Sequence, residues 1–210
     1  MLSIYITLET EILKIARRLQ SIAQAGLHYA ENVFDRQRYE EVRELSVMLA
    51  SLLTGAQVDR VRDLFTFENG FQTPKVDIRA VVIKYGSILL SRERSDGCFS
   101  IPGGFADINY SPSQVAVKEV LEETGLIVKA ERVLAIIDTD RHNFPPLEFH
   151  YYKIIILCNI IGGTLQDSDE TTEAGFYDFD NLPQLSLQRN TPELFALIRQ
   201  QLETDSIYLD

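Results

Sequence analysis

Three glutamates, Glu119, Glu122 and Glu123, have the spacing of side chains that share one face of a helix. Like charges at this spacing repel each other, and they repel more strongly when they are partly buried. A hard divalent cation such as Mg²⁺ or Mn²⁺ would turn this repulsion into a binding site, because such ions prefer carboxylate oxygens. The alternative interpretation is a solvated acidic helix face.

A glycine-rich segment precedes these glutamates. Residues 101–107 read Ile-Pro-Gly-Gly-Phe-Ala-Asp, which predicts a strand that ends in two glycines. Without side chains, Gly103 and Gly104 would let the backbone approach a metal ion or a diphosphate closely.

A helix with clear start and stop signals must hold the glutamates. Ser111 can cap its N-terminus, Pro112 suits the first helical position, and Gln114 can complete a capping box. Gly125 predicts its end.

The run from Gly104 to Leu126 resembles the signature of the Nudix hydrolase family. That signature is Gly, five residues, Glu, seven residues, Arg-Glu, two residues, Glu-Glu, one residue, Gly and an aliphatic residue, and the spacing matches throughout. Two positions depart from it, because Tyr110 replaces the first Glu and Lys118 replaces Arg. Lysine keeps the charge but lacks the planar fork that would orient a carboxylate, and Asp107 could offset part of the loss at position 110.

The resemblance implies hydrolysis of a nucleoside diphosphate linked to another group, X, with Mg²⁺ or Mn²⁺ as cofactor. It implies that Glu119 and Glu123 bind the metal directly, together with the carbonyl oxygen of Gly103. Glu122 is implied as a further ligand, either directly or through water. These three glutamates are therefore the predicted catalytic core.

An acidic stretch later in the chain lies where family members often carry a further ligand or general base. Within residues 166–173, Glu170 is the first candidate for this catalytic role and Glu173 is the second. An acidic surface loop before a strand is the alternative.

Three further side chains are candidate substrate contacts. Arg79 and Arg92 lie in or at the end of predicted strands, and a guanidinium fork suits phosphate, although ion pairs at a sheet edge are the alternative. Phe105, beside the glycines, could stack on a base or fill the core.

The N-terminal part of the chain has a helical period. Apolar residues within 8–23 recur at three- and four-residue steps, and Gly26 predicts the end of this first helix. Asp35 is the predicted cap of a second helix that ends at Gly55. A third, shorter helix is predicted over residues 58–65.

Turn formers at residues 68–74 end this pattern, and the predicted domains are 1–72 and 73–210. The second domain mixes helices with strands without a regular βαβ repeat, which predicts the α+β class. The resemblance implies an α/β/α sandwich with a mixed sheet, preceded by a small all-α domain. Strands are predicted at 76–85, 87–92, 133–138, 147–160 and 176–179, and helices at 112–124 and 191–202.

Composition limits the possible partners. Twenty basic and 31 acidic residues give a net charge of −11, which argues against binding of long nucleic acids. The longest apolar run, residues 154–161, is far shorter than the roughly 20 residues that a membrane span needs. Cys98 and Cys158 have no metal-site spacing, and two scattered thiols fit a reduced, cytoplasmic setting.

The helical segment joined to this glutamate motif resembles one bacterial branch of the family, which includes CDP-choline and ADP-ribose pyrophosphatases. The expected substrate is therefore a small nucleotide, CDP-choline or ADP-ribose. Alternatives are a hydrolase of RNA ends or dinucleoside polyphosphates, and a non-catalytic nucleotide sensor. The branch also implies a homodimer formed through the N-terminal helices, because three short helices bury little surface alone.

Overall fold

The structure is a computed structural model that describes residues 2–204 and 206–210. It divides into two compact units, one comprising residues up to Pro74 together with Pro146–His150, and the other comprising the remaining described residues from Lys75. The helices are α1 (Leu2–Tyr29), α2 (Val33–Thr54), α3 (Val58–Thr66), α4 (Pro112–Thr124) and α5 (Pro192–Glu203). The strands are β1 (Lys75–Lys84), β2 (Ser87–Glu93), β3 (Phe99–Ser100), β4 (Gly103–Phe105), β5 (Leu126–Asp138), β6 (Tyr151–Gly163), β7 (Thr171–Tyr177) and β8 (Tyr208–Leu209). Among the described residues, no helix is both long and apolar enough to cross a membrane.

Helix α1 continues past the residue at which the sequence predicts its end. Gly26 lies inside the helix, and its carbonyl accepts a hydrogen bond of 2.8 Å from the backbone N–H of Ala30. A Cβ at this position would lie 2.4 Å from the ring of Tyr39 in α2. The predicted stop at Gly26 is therefore wrong, and the glycine instead makes room for close helix packing.

Helix α2 begins earlier than the sequence predicts. Asn32 is its N-cap, and the Asn32 side chain accepts a hydrogen bond of 2.8 Å from the backbone N–H of Asp35. Asp35 lies in the first turn, where a negative charge suits the helix dipole, so its assignment as the cap is wrong. The end of α2 at Gly55 is confirmed, with φ of 70° in the left-handed region.

The three N-terminal helices share a small apolar core. Six side chains contributed by α1, α2 and α3 are almost fully buried, namely Leu13, Ala16, Val47, Ala50, Val61 and Phe65. This core explains part of the apolar stripe in residues 8–23, whereas Leu8, Ile15 and Ile22 of that stripe are exposed.

The second unit is a mixed sheet between two helices. The strand order is β3-β2-β1-β6-β5-β8, with β4 paired to β1 and β7 paired to β2. The β1–β6 and β5–β8 pairs are parallel, whereas the other pairs are antiparallel. Helix α4 packs with one apolar cluster and α5 with another, and alternate residues of β1 supply the two clusters. The α+β class is confirmed.

Several strand boundaries differ from the prediction. Strand β5 begins at Leu126, and register shifts around Arg132 interrupt the alternation that would have revealed its first half. Strand β6 begins at Tyr151, because Pro146–His150 belongs to the helical unit. Strand β7 is Thr171–Tyr177 rather than 176–179. The short strands β3, β4 and β8 carry too few residues for a readable period.

Candidate active site

Helix α4 is fixed at both ends by the signals that the sequence predicts. The Ser111 side chain accepts from the backbone N–H of Gln114, and the Gln114 side chain accepts from the backbone N–H of Ser111. Gly125 ends the helix with φ of 73°. These caps set the rotation of the helix and therefore the direction of its glutamates.

The three glutamates of α4 differ in their exposure. Glu123 is 5% exposed, whereas the side chains of Glu119 and Glu122 are 12% and 57% exposed. Burial raises the pKa of Glu119, and the charges of Glu122 and Glu170 add to this rise while Lys118 opposes it. One helix face therefore presents a buried, a partly buried and an exposed carboxylate.

Glu123 is a buried carboxyl group held by two hydrogen bonds. The Ser91 hydroxyl donates to Glu123 Oε2 at 2.7 Å, and the backbone N–H of Gly103 donates to Oε1 at 3.1 Å. Burial raises the pKa of Glu123 to about 7, although these two bonds and the charge of Arg79 act in the opposite direction. A perturbed carboxyl group of this kind is typical of functional sites. Ser91 was not predicted, and its only signal is a small polar residue after an apolar run.

The two glycines allow the backbone to lie against neighbouring groups. Gly103 has φ of 147°, and a Cβ there would lie 2.0 Å from the carbonyl oxygen of Ile78. A Cβ at Gly104 would lie 3.4 Å from the carboxyl carbon of Glu119. The structure therefore brings the predicted glycines and glutamates together.

Lys118 joins three carboxylates around one ammonium group. Its Nζ lies 3.2 Å from Asp107, 3.1 Å from Glu119 and 3.2 Å from Glu122. Hydrogen bonds to these carboxylates raise the pKa of Lys118 above its ordinary value. The ammonium thus contacts three carboxylates without the planar fork of arginine.

This donor set fits Mg²⁺ or Mn²⁺. It combines hard carboxylate oxygens from Glu119, Glu122 and Glu123 with an adjacent glycine backbone, and such ions prefer oxygen ligands. Tyr110 exposes about half of its surface, and its backbone N–H donates to the Asp107 carbonyl. Tyr110 therefore lies in the turn that precedes α4.

The acidic loop before β7 is tied to the end of α4. The Gln166 N–H donates to the Thr124 carbonyl at 2.9 Å, and the Thr171 hydroxyl donates to the Glu123 carbonyl at 2.6 Å. Glu170 contributes to the raised pKa of Glu119, as noted above.

Glu173 has other partners than the glutamates of α4. Its carboxylate accepts from the Tyr177 hydroxyl at 2.9 Å and lies 3.9 Å from Arg92. Glu170 therefore stays the first candidate for the additional acidic residue, and Glu173 the second.

Arg79 is not an exposed phosphate contact in this structure. It is 5% exposed, and its guanidinium binds both carboxylate oxygens of Asp77, at 2.8 and 3.2 Å, and the Ile101 carbonyl at 3.0 Å. Lys153 Nζ also donates to Asp77. Because β1 is a central strand, this is a buried ion pair rather than a pair at the sheet edge. The substrate-contact interpretation of Arg79 is therefore withdrawn.

Sequence reasoning missed Asp77 and Lys153. Each is a charged residue within an apolar strand, at 4% and 2% exposure, which is the signal that was available. The charges of Arg79 and Lys153 bring the pKa of Asp77 below its ordinary value, although burial alone would raise it. Burial lowers the pKa of Lys153 to about 8 despite the opposing charge of Asp77.

Arg92 and Phe105 remain accessible to a ligand. The Arg92 side chain is 48% exposed, and its Nε donates to the Gly97 carbonyl at 2.8 Å. Phe105 is 61% exposed and stacks on Tyr151, with ring centroids 5.7 Å apart and planes within 16°. The core-filling interpretation of Phe105 is therefore wrong, whereas base stacking stays a prediction.

Replacing Lys153 with methionine should change how stability depends on pH. The folded-state pKa of Lys153, about 8, lies below its ordinary value of 10.5. The unfolded chain therefore binds more protons between these values, and the wild type should gain up to about 1.4 kcal/mol per pH unit relative to Lys153→Met. Below pH 8 the ammonium is charged in both states, so the burial penalty is fully present.

Urea unfolding of both proteins between pH 7 and 10.5 would measure this difference. The raised pKa values of Cys158 and Tyr177 act with the opposite sign but are common to both proteins. A constant stability difference across this range would contradict the lowered pKa of Lys153 in the folded protein.

Two family models match consecutive parts of the chain. A model described as a UDP-X-like, N-terminal oligomerisation domain matches residues 10–65. A NUDIX domain model matches residues 73–199, which is more than half of the chain.

Three relatives are similar to this chain over 66–96% of its length. A Bacillus subtilis protein, YjhB, provisionally named as an ADP-ribose pyrophosphatase, is 40% identical over 92% of this chain and 93% of its own length. A Streptococcus suis crystal structure of an ADP-ribose pyrophosphatase is 41% identical, with a TM-score of 0.60 over 66% of this chain and 100% of that one. The structure of a UDP-X diphosphatase is 31% identical, with a TM-score of 0.63 over 96% of this chain and 99% of that one.

Proposed function

Because this chain belongs to the Nudix hydrolase family, we propose that it is a divalent-metal-dependent enzyme that hydrolyses a nucleoside diphosphate linked to X, with ADP-ribose as the first substrate to test. The observation that carries this proposal is the buried Glu123, which lies against the Gly103 N–H on the same helix face as Glu119 and Glu122. CDP-choline and UDP-linked sugars belong to the same substrate class and are the next candidates.

The glutamates and the glycine segment would hold the metal. When bound, Mg²⁺ or Mn²⁺ would neutralise the diphosphate and polarise a phosphorus atom toward attack by water. Glu119, Glu123 and the Gly103 carbonyl are the proposed direct ligands, and Glu122 is a further ligand. The hydrogen bonds from Ser91 and Gly103 hold both oxygens of Glu123, which fixes its orientation before substrate arrives.

Other residues are proposed to accept a proton from water and to bind the nucleobase and phosphate of the substrate. Glu170 is the proposed acceptor of the proton from the attacking water, because its charge already acts on Glu119. Phe105 and Tyr151 offer a stacked aromatic surface for the base, and Arg92 is the proposed phosphate contact. For ADP-ribose, water adds to one phosphorus and the bridging oxygen leaves, giving AMP and ribose 5-phosphate.

A substrate panel tests the proposal. ADP-ribose, CDP-choline, a UDP-sugar, a diadenosine polyphosphate and a short 5′-triphosphate RNA would be incubated with Mg²⁺, Mn²⁺ or EDTA, and phosphomonoester release measured. Metal-dependent cleavage of a nucleoside diphosphate derivative supports the proposal. Preferred cleavage of RNA or the dinucleotide favours those substrates instead. Nucleotide binding without turnover favours a sensor.

The helical unit is proposed to form a homodimer through an exposed face of α1. Leu8, Ile15, Ile22 and Tyr29 follow one another at seven-residue steps and are 42–70% exposed, on a different face from the buried Leu13. A seven-residue apolar repeat is the pattern with which one helix packs against another. The matching oligomerisation-domain model supports a second copy of this chain as the occupant.

Charges introduced on this face should dissociate the dimer. We expect wild-type protein to sediment as a dimer at micromolar concentration and the double variant Ile15→Glu/Ile22→Glu to sediment as a monomer, because a buried unpaired charge is strongly unfavourable. Leu52→Glu is a matched control, since Leu52 is 82% exposed on α2. A monomeric wild type, or a dimer that persists in the double variant, would exclude this face.

A further inference from the structure

The metal-binding turn, residues 101–103, is bordered by three buried charges for which the proposed reaction supplies no role. Asp77, Arg79 and Lys153 are all at most 5% exposed, whereas charged side chains are seldom buried unless they are paired. We propose that Arg79, locked in place by Asp77 and Lys153, is the positioning residue that fixes this turn and so presents Gly103 to the metal site. The inference rests on the proposed function and adds a residue to its machinery.

The contacts form a continuous chain from the sheet to the turn. Lys153 on β6 is the register partner of Asp77 on β1, and its ammonium donates to Asp77 Oδ2. Asp77 accepts from Arg79 Nε at 2.8 Å and from Nη2 at 3.2 Å. Arg79 Nη1 then donates to the Ile101 carbonyl at 3.0 Å. The guanidinium is thus held on one side while it holds the turn on the other.

Backbone bonds and a buried amide complete the attachment. The Ala80 N–H donates to the Pro102 carbonyl at 2.8 Å, and Gly103 is the register partner of Arg79. The fully buried Asn190 accepts from the Ile101 N–H at 2.9 Å. Both polar groups of the Ile101 backbone are therefore held by side chains, which limits how far the adjacent Gly103 can move.

Arginine is specifically suited to this position. Its planar group binds Asp77 through two nitrogens and still directs a third nitrogen to the Ile101 carbonyl, whereas a lysine ammonium cannot reproduce this fixed fork. Arg79→Lys should therefore retain a charge opposite Asp77 but loosen the turn. Because Gly103 donates to Glu123, a loosened turn also releases one oxygen of that carboxyl group.

Hydrogen exchange of glycine amides tests this role without metal or substrate. In ¹⁵N-glycine-labelled Arg79→Lys, we expect exchange of the Gly103 amide to accelerate about tenfold, the scale of a lost charged hydrogen bond. The Gly125 amide, which bonds to Leu121 at the end of α4, should change little. Mn²⁺ affinity and kcat should each fall about tenfold with less change in KM, because the turn positions the metal rather than the substrate.

Arg132→Lys is the matched control. Arg132 also donates to backbone carbonyls, those of Gln201 and Thr204. Among the described residues, its hydrogen bonds involve neither residues 101–103 nor the glutamates of α4. This variant should leave Gly103 exchange and Mn²⁺ affinity unchanged. If Arg79→Lys does not fold, Asp77→Asn tests the same link, because it removes one of the charges that lock Arg79.

The outcomes separate this inference from the proposed function. Accelerated exchange confined to Gly103 and its neighbours supports the positioning role, even if no substrate in the panel is cleaved. Equal acceleration of every glycine amide would show a purely structural role and overturn the inference. Unchanged Gly103 exchange and Mn²⁺ affinity in Arg79→Lys would also overturn it, whether or not wild-type protein hydrolyses ADP-ribose.

Discussion

Glu123→Gln is expected to lose about 10³-fold in metal-dependent hydrolysis while remaining folded. Glutamine has the same shape as glutamate but removes the negative charge from the most buried carboxyl group on α4. Loss of a ligand or of a general base typically lowers the rate by about 10²–10⁴-fold. The measurement is phosphomonoester release from the best substrate of the panel, with Mg²⁺ or Mn²⁺ at saturating concentration.

The same substitution should not lower stability. Burial raises the pKa of Glu123 to about 7, so the ionised form is unfavourable in its folded environment. A neutral amide removes that penalty, its oxygen still accepts from the Gly103 N–H, and its nitrogen can donate to the Ser91 hydroxyl. In EDTA, the unfolding temperature of Glu123→Gln should therefore equal or exceed that of the wild type, by about 2–4 °C if 1 kcal/mol is gained.

Glu193→Gln provides the control for this prediction. Glu193 is exposed in the first turn of α5, so its replacement should change neither turnover nor metal affinity. Full activity in Glu123→Gln would show that this carboxylate is not part of the reaction. A large loss of stability would show instead that its charge supports the fold.

Helix α4, which carries the three glutamates, was predictable because its sequence signals are local. The Ser111 cap, Gly125 and the glutamate spacing are set within a few residues of one another, and a helix converts that spacing directly into a shared face. The mixed sheet and the flanking helices also follow from the change of apolar period after Pro74. Local signals therefore sufficed for the fold class and for the shared helix face of the three glutamates.

The residues that were missed depend on contacts between distant parts of the chain. Asp77 and Lys153 meet only because β1 pairs in parallel with β6, a register that no local pattern specifies. Ser91 reaches Glu123 because β2 lies beside α4 in space but not in sequence. Arg79 changes from a candidate substrate contact to a buried partner for the same reason, since its acceptor Ile101 lies on another segment.

Position 103 requires glycine because of a contact with a distant part of the chain. Its φ of 147° is unfavourable for residues with a side chain, and a Cβ would lie 2.0 Å from the Ile78 carbonyl oxygen on the neighbouring strand. Backbone atoms of a central strand cannot move aside as a flexible side chain can. Both effects therefore act on a single added methyl group.

Gly103→Ala should consequently destabilise the second unit, which contains the mixed sheet, severely. Backbone strain and overpacking together predict a loss of about 4 kcal/mol, or a fall of roughly 8–16 °C in unfolding temperature. Gly97→Ala is the matched control, because Gly97 also has positive φ, at 69°, but an added Cβ meets no atom within 4 Å. It should lose only about 1–2 kcal/mol, the strain contribution alone.

Thermal and urea unfolding of the two variants compare a glycine that only has positive φ with one that also lies against β1. A large loss in Gly103→Ala with a small loss in Gly97→Ala would show that the close approach to β1 and the φ of 147°, and not a positive φ as such, require glycine at position 103. Equal losses would contradict the close approach of Gly103 to Ile78. Since Gly103 also donates to Glu123, any folded fraction of Gly103→Ala should bind Mn²⁺ more weakly than the wild type, whereas Gly97→Ala should bind it equally well.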